Sequence, residues 1–146
     1  MSPMARRAGW VAGAIAGAAL LAVPASRGAR SLMMTRRAVA TFVAILAAAD
    51  DQDLDAIRPL CTDRYLRARP PAPSPGGGVV GFPRGIHQNF QAWREGAEVW
   101  LCPTDRVGPV YRFSFEGGAC RFDGLVGLLR PGGRVERATG PAGELF

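Results

Sequence analysis

The sequence predicts an α+β domain in which helices precede an antiparallel β-meander, with an export or anchor segment in front of the domain. Three patterns predict this order. An uncharged apolar run at residues 8–23 follows an arginine pair, residues 36–49 repeat apolar side chains at helical spacing, and residues 98–138 alternate apolar and polar side chains between glycine turns. Apolar repeats with a period near 3.6 indicate helix, and those with a period of 2 indicate strand.

Length and charge limit the class of protein. A chain of 146 residues accommodates one domain with appendages, and a domain of this size buries a core without disulfides or metal. The net charge is +6, but all 18 basic residues are arginines, and four of them precede position 31, where no acidic residue lies. The other arginines are scattered among acidic residues, whereas a phosphate-binding surface needs clustered cations. We therefore expect no nucleic-acid partner.

Residues 1–30 are predicted to be a signal peptide or an N-terminal anchor. Arg6 and Arg7 form a positively charged start, the apolar run 8–23 follows, and small residues around Ala25 suit a signal peptidase. The run has 16 residues, fewer than the roughly 20 that span a bilayer. Cleavage after Ala25 and export to the periplasm or the medium is therefore the favoured interpretation. The alternative is an uncleaved anchor, with membrane contact only through residues 8–23.

Met33 and Met34 are alternative candidates for the translation start. Arg36 and Arg37 precede another apolar run, 38–49, which would act as the signal if translation began there. We favour the interpretation of this run as the first helix of the domain. The pattern alone does not decide between the two starts.

The first helix is predicted at residues 36–49, which lack Gly and Pro. Apolar residues recur there at positions i, i+3, i+4 and i+7, namely Val39, Phe42, Val43 and Leu46. Asp53 is the predicted N-cap of a second, shorter helix, because its carboxylate can accept backbone N–H groups of the first turn. Pro59 kinks or ends that helix, and residues 62–69 are left unassigned.

A loop and a third helix are predicted next. Residues 70–85 contain five prolines and five glycines, which predicts a flexible loop. Residues 86–94 are predicted to form a helix with Ile86, Phe90 and Trp93 on one face.

Four strands complete the predicted domain, at residues 98–104, 107–116, 119–129 and 134–138. Gly117-Gly118 forms a two-residue hairpin turn, since glycine adopts the positive φ angles of such turns. The turn sets a register that yields three compatible cross-strand pairs, each of which contributes about 0.2–1 kcal/mol. They are Phe113 with Phe122, Phe115 with Cys120, and Arg112 with Asp123.

The order of these elements resembles the NTF2-like superfamily of α+β cones, which includes SnoaL-like and ketosteroid-isomerase-like domains. Residues 38–60 resemble its first two helices, with an acidic break at 50–53. Residues 111–129 resemble its hairpin of an alternating aromatic strand, a Gly turn and a strand ending in Asp-Gly. Cys120 departs from the pattern, because many members carry Trp there. The resemblance covers residues 36–138.

The resemblance implies helices packed on a curved antiparallel sheet, with an apolar pocket between them and pairing of two copies through the open sheet face. Residues 139–146 would then be a tail. Members include isomerases, cyclases, dehydratases, immunity proteins and transport adaptors, so the fold alone assigns no chemistry. Enzymatic members use Asp, His or Tyr side chains in the pocket. No local motif here matches theirs, so no catalytic residue is carried over.

Three residues are candidates for acid–base chemistry. Asp63 and Tyr65 lie where the chain leaves the second helix and would rim a cone pocket. An Asp base with a Tyr proton donor suits isomerisation next to a carbonyl. His87 is the only histidine and titrates near neutral pH. The alternative is a solvated turn at Asp63, a half-buried ring at Tyr65 and an exposed polar residue at His87.

Aromatic residues are candidates for lining a ligand pocket, with core packing as the alternative explanation. They are Trp93, Trp100, Phe113, Phe115 and Phe122. If they line a pocket, its ligand is small and apolar.

Cys61, Cys102 and Cys120 leave one cysteine over after any single disulfide. Export would place them in an oxidising compartment, where one pair can bridge, and all three pairings are open. A lone histidine lacks the partners of a zinc site, which needs three or four nitrogen or sulfur ligands. We therefore expect neither a metal nor another cofactor.

The sequence favours an exported domain that binds a small apolar ligand or a protein partner without catalysis. The basis is that few ionisable residues lie near the predicted apolar strands. One alternative is a small cofactor-independent enzyme of the isomerase or lyase type that uses Asp63 and Tyr65. The other is a structural envelope protein tethered by residues 8–23.

Overall fold

The computed structural model of the chain describes residues 3–84, 89–104 and 106–138, with side chains from residue 27 onward. The chain divides into two compact units, Met1–Met33 and Met34–Phe146. The described part of the first unit is helical. The second unit contains the described hydrophobic core and the sheet.

Helix α1 comprises Pro3–Asp50 and so includes the helix predicted at residues 36–49. Within the second unit its buried side chains recur every three to four residues and pack into the core. They are Ala38, Phe42, Ile45, Leu46 and Ala49. Val43, predicted to lie on the inner face, is 46% exposed, so the buried face is rotated toward Ala38 and Ile45.

A tight turn leads from α1 to helix α2, Leu54–Ile57. Asp53 caps α2 as predicted, since its Oδ1 accepts a hydrogen bond of 3.0 Å from the backbone N–H of Ala56. A 3₁₀ turn, Arg58–Leu60, follows and contains Pro59. The α-helix ends here because proline cannot donate the backbone hydrogen bond of a helix interior.

Helix α3, Asp63–Ala68, lies in the segment that the sequence left unassigned. Thr62 is its N-cap and accepts, at Oγ1, a hydrogen bond of 3.2 Å from the backbone N–H of Tyr65. The backbone N–H of Thr62 donates to the carbonyl of Phe122 at 2.9 Å. These two bonds hold the first turn of α3 against the sheet.

The loop after α3 is irregular, as its proline and glycine content predicts, but it packs against the domain. Val79 and Phe82 are buried in the core. Gln52 donates from Nε2 to the carbonyl of Gly78 at 3.0 Å. The described part of the loop, residues 70–84, therefore contributes apolar side chains to the domain as well as connecting its elements.

Strand β1, Gln91–Glu95, replaces the C-terminal part of the helix predicted at residues 86–94. That prediction is wrong there, and its first residues lie outside the described part of the chain. β1 pairs with the next strand across a two-residue turn, with Trp93 opposite Trp100. A spacing of three places Phe90 and Trp93 on one face of a helix but on opposite faces of extended chain. In the structure Phe90 packs against the core and Trp93 packs in the cluster on the other face of the sheet.

All four predicted strands are present, with slightly different bounds. They are β2 (Glu98–Cys102), β3 (Gly108–Glu116), β4 (Ala119–Leu129) and β5 (Val135–Arg137). In the described residues the five strands form one antiparallel sheet in the order β1-β2-β3-β4-β5. This is the predicted meander with one strand added.

Around the Gly-Gly turn the β3–β4 hairpin has the predicted register, with Phe113 opposite Phe122. The register then shifts twice between Val110 and Phe113, so that Tyr111 lies opposite Leu125. Such bulges bend a strand pair and increase its twist. Counting residues outward from the turn does not reveal them.

The two faces of the sheet carry separate apolar clusters. Val99 and Leu101 belong to the core that includes α1, whereas Trp100 and Cys102 belong to a cluster on the other face. Arg137 of β5 lies over Trp100 of β2, with 5.2 Å between the guanidinium carbon and the ring centroid. In a flat sheet these two strands would be about 14 Å apart, so the sheet curls toward that face.

One helical segment in the described part of the chain, Arg27–Asp50, is long and apolar enough to cross a membrane, with a mean hydropathy of 1.5. About 33% of its most apolar stretch is buried. Ala38 and Phe42 are among these buried residues and are fully enclosed in the core. The core helix of a domain passes the same length and composition test.

Candidate functional site

A cavity of about 200 Å³, partly open to solvent, lies between α3, the loop after it, and strands β3 and β4. Aromatic and apolar side chains form most of its walls, and an arginine and two tyrosines add polar groups. The lining residues are Tyr65, Arg69, Gly81, Pro109, Tyr111, Phe122 and Leu125. A mostly apolar lining with a few polar groups is typical of small-molecule sites.

Helix α3 supplies Tyr65 and Arg69, which are four residues apart and therefore on the same side of the helix. Arg69 is the C-cap of α3, and its backbone N–H donates to the carbonyl of Tyr65 at 2.8 Å. Tyr65 is buried and Arg69 is half-buried. One short helix thus presents a phenol and a guanidinium to the same cavity.

The β3–β4 pair forms the opposite wall. Its register shift brings Leu125 opposite Tyr111, and both residues line the cavity. Phe122 packs edge-on against Tyr65, with 4.8 Å between ring centroids, and lies 5.6 Å from Tyr111. Aromatic pairs of this kind are worth about 0.5–1.5 kcal/mol each beyond their buried area, so the wall is a well-packed surface.

Gly81 lets the loop approach the polar groups of the cavity. Its φ angle is +91°, in the region that residues with a side chain rarely adopt. A Cβ at this position would lie 3.2 Å from the hydroxyl oxygen of Tyr65 and 4.0 Å from Nη1 of Arg69. The hydroxyl and the guanidinium therefore converge on one point of the loop.

Burial sets the protonation states of the two tyrosines. Burial, with the nearby Cys61 and Tyr111 and against the charge of Arg69, raises the pKa of Tyr65 to about 12. Burial, followed by the neighbouring Cys102, raises the pKa of Tyr111 to about 12. Both phenols are therefore neutral at neutral pH and can donate hydrogen bonds to a ligand.

A buried carboxylate beside the cavity fixes α3. Oδ1 of Asp123 accepts hydrogen bonds from Oγ1 of Thr62 at 2.6 Å and from Nε of Arg64 at 3.2 Å. Oδ2 accepts from Nη2 of Arg64 and, at 3.2 Å, from the hydroxyl of Ser114. Nε of Arg112 lies 3.2 Å from Oδ2. The predicted contact of Arg112 with Asp123 is thus present, although the carboxylate is shared with α3.

The pKa of Asp123 lies below its ordinary value. Burial alone would raise it, but hydrogen bonds from Arg64 and Thr62, together with the charges of Arg112 and Arg64, outweigh burial. The carboxylate is therefore ionised at neutral pH. Because Thr62 also accepts the backbone N–H of Tyr65, two consecutive hydrogen bonds connect Asp123 to the residue that lines the cavity.

The predicted acid–base residues are not brought together in the described structure. Asp63 is exposed in the first turn of α3, whereas Tyr65 lines the cavity. Residues two positions apart in a helix do not face each other. His87 lies outside the described residues.

The aromatic candidates divide between the two faces of the sheet. Phe122 lines the cavity, and Phe113 and Phe115 pack in the core with α1. Trp93 and Trp100 lie on the other face, with 6.4 Å between their ring centroids. Phe122 is therefore the member of this set that can contact a ligand in the cavity.

The three cysteines are free thiols in the structure, and the possible disulfide among them stays a prediction. Cys102 in β2 and Cys120 in β4 are separated by β3, so they do not lie on neighbouring strands. Cys61 is buried in the core, and burial raises the pKa of its thiol to about 12. It is therefore protonated at neutral pH and a poor nucleophile.

Five lining residues were not singled out from the sequence, namely Arg69, Gly81, Pro109, Tyr111 and Leu125. Arg69 had a signal, since it lies four residues after Tyr65 in a segment whose Thr-Asp start is typical of a helix N-terminus. Tyr111 lies in the predicted alternating strand. Leu125 had no signal, because the register shift that brings it to the cavity depends on contacts elsewhere in the sheet.

No group of three or more His, Cys, Asp or Glu side chains in the described residues is placed to hold a metal ion. No protein-family model, curated protein or solved structure matches the chain significantly. The functional argument therefore rests on the cavity.

Proposed function

We propose that this domain binds a small, largely apolar molecule in the cavity between α3 and the β3–β4 pair. The cavity carries the proposal, since it combines a volume of about 200 Å³ with aromatic walls. A cavity of about 150 Å³ holds a benzene molecule. The present one therefore admits a single ring with a small substituent.

The polar groups of the lining support binding over acid–base catalysis. They are two neutral phenols and a guanidinium, which serve as hydrogen-bond donors. Abstraction of a proton needs a general base, usually a carboxylate or an imidazole, within hydrogen-bond reach. None of the seven lining residues in the described part of the chain carries one, and Asp63, the base considered from the sequence, is exposed.

The proposal includes membership of the NTF2-like cones and export directed by residues 1–30. Helices packed on a curled antiparallel sheet support the first, because that fold implies a pocket between sheet and helices. The helical and apolar N-terminal segment supports the second. The cavity hypothesis depends on neither of them.

Fluorine NMR with fluorobenzene as the probe tests the cavity. We expect the fluorobenzene signal to broaden and shift when wild-type protein is added. Leu125→Phe should abolish this effect because the larger side chain fills the cavity. Leu128→Phe, on the same strand but at a position that is 43% exposed, should not. An unchanged signal with wild-type protein, or equal effects of the two variants, would contradict the proposal.

A further inference from the structure

The cavity places the positive charge of Arg69 close to a neutral hydrogen-bond donor, the hydroxyl of Tyr65. The hydroxyl oxygen of Tyr65 and Nη1 of Arg69 lie 3.2 Å and 4.0 Å from the point where a Cβ of residue 81 would stand. Both groups therefore lie beside Gly81, and both belong to the lining of the cavity. One ligand in the cavity can contact both of them.

We infer that the ligand of the cavity is a monocyclic carboxylate, whose carboxylate binds the guanidinium of Arg69 and the hydroxyl of Tyr65. The inference rests on the proposed function, because it names the ligand of the same cavity. In this arrangement the ring lies against Phe122 and Tyr111, and the carboxylate points toward Gly81.

The charge of the lining favours an acid. Among the seven lining residues that the structure describes, Arg69 alone carries a formal charge. A guanidinium offers planar, parallel N–H groups that match the two oxygens of a carboxylate. Hydrogen bonds between charged partners are roughly twice as strong as those between neutral ones. A carboxylate is therefore preferred over the amide of the same shape.

The size of the cavity limits the rest of the ligand. Its volume of about 200 Å³ exceeds the roughly 150 Å³ that holds benzene. It falls short of the roughly 300 Å³ at which pockets for drug-sized ligands begin. There is room for one ring and one small acidic group, and a polycyclic molecule does not fit.

Titration calorimetry with benzoate and benzamide tests the inference, because the two probes share a ring and a shape and differ in charge. We expect wild-type protein to bind benzoate about tenfold more tightly than benzamide. Arg69→Gln should weaken benzoate binding about tenfold and benzamide binding clearly less, since only benzoate loses a hydrogen bond between two charged partners. Tyr65→Phe should weaken both probes by a similar, smaller factor.

Two further variants separate charge from folding. Arg67→Gln removes an exposed arginine from the same helix and should leave both affinities unchanged. Arg69→Lys keeps the charge without the planar donors, so it should retain part of the preference for benzoate.

Equal affinities of wild-type protein for benzoate and benzamide would overturn the inference. So would equal losses for both probes in Arg69→Gln, or binding of fluorobenzene without binding of either probe. In each of these cases the cavity remains a binding site. Failure of benzoate, benzamide and fluorobenzene alike would instead overturn the proposed function.

Discussion

At the scale of single residues, Asp123 connects α3 with two strands through one carboxylate. Asp123 lies on β4, and its carboxylate accepts hydrogen bonds from Thr62 and Arg64 at the start of α3 and from Ser114 on β3. Arg112 on β3 forms an ion pair with the same carboxylate. All three elements line the cavity. Loss of the carboxylate charge removes an acceptor that these donors share, so its effect should reach beyond the single contact.

We expect Asp123→Asn to lower the free energy of unfolding at pH 7 by about 1–3 kcal/mol, because the buried carboxylate accepts hydrogen bonds that the amide replaces only in part. Urea denaturation followed by circular dichroism measures it. Asp55→Asn is the matched control, since Asp55 is exposed and lies 4.0 Å from Arg58, and exposed pairs contribute little. Similar losses in the two variants would show that Asp123 does not connect the elements as described.

The pKa of Asp123 predicts a pH dependence. Its pKa is lower in the folded protein than in the unfolded chain, so its contribution to stability is full above the ordinary value of about 3.9 and is lost as pH falls through the folded value. The difference in stability between wild type and Asp123→Asn should be constant at neutral pH and shrink below about pH 4. A difference that grows on acidification in the same urea experiments would contradict this.

At the scale of elements, the sequence predicted correctly the features that depend on residues close together in the chain. The β3–β4 register next to Gly117-Gly118 was predictable because a two-residue turn fixes it. Strand β1 was not predictable, because it forms through its pairing with β2, in which Trp93 lies opposite Trp100. Leu125 was not placed at the cavity, since its position follows from the register shift. The sequence therefore indicated Tyr65 on one wall of the cavity and Phe122 on the other, but not Leu125.

Helix α3 shows why a short element is hard to assign from sequence. It has six residues, far fewer than the roughly 12–15 that make an isolated helix even marginally stable. Its stability must come from contacts with the rest of the domain. Thr62 provides two of them, since its backbone N–H donates to the carbonyl of Phe122 and its hydroxyl donates to Asp123.

We expect Thr62→Ala to lower the free energy of unfolding by about 1–3 kcal/mol, because it removes an N-cap and a buried hydrogen bond. Thr62→Ser keeps the hydroxyl and should recover most of the loss. Chemical denaturation of the three proteins side by side measures both effects. If Ser and Ala are equally damaging, the methyl group of Thr62 and not its hydroxyl stabilises α3.

At the scale of the whole molecule, the buried face of α1 bears on where the mature chain begins. If residues 38–49 were a cleaved signal, the domain would lose Phe42, whose ring lies 5.3 Å from Tyr111 and 6.1 Å from Phe113 between centroids. Truncating one such core aromatic residue typically costs 3–5 kcal/mol. The core therefore favours residues 36–49 as a helix of the domain over a signal.

Export makes a prediction about the mass of the mature chain. We expect the protein from the exported fraction to begin at Ser26, because the small residues around Ala25 suit cleavage there. Intact mass spectrometry measures this directly. An uncleaved chain in the membrane fraction would support the anchor alternative. A chain beginning after residue 49 would contradict the assignment of α1 to the core.

The pairing of two indole rings gives the domain an optical property. Of three tryptophans in the sequence, Trp10 lies in the segment proposed to be removed, which leaves Trp93 and Trp100. Their rings face each other across β1 and β2 at an interplanar angle of 68°, on the sheet face away from the cavity. Their coupled electronic transitions give near-ultraviolet circular dichroism, which disappears when fixed side-chain packing is lost. The near-ultraviolet spectrum therefore reports whether the sheet is intact, both when the cavity is empty and when it is filled.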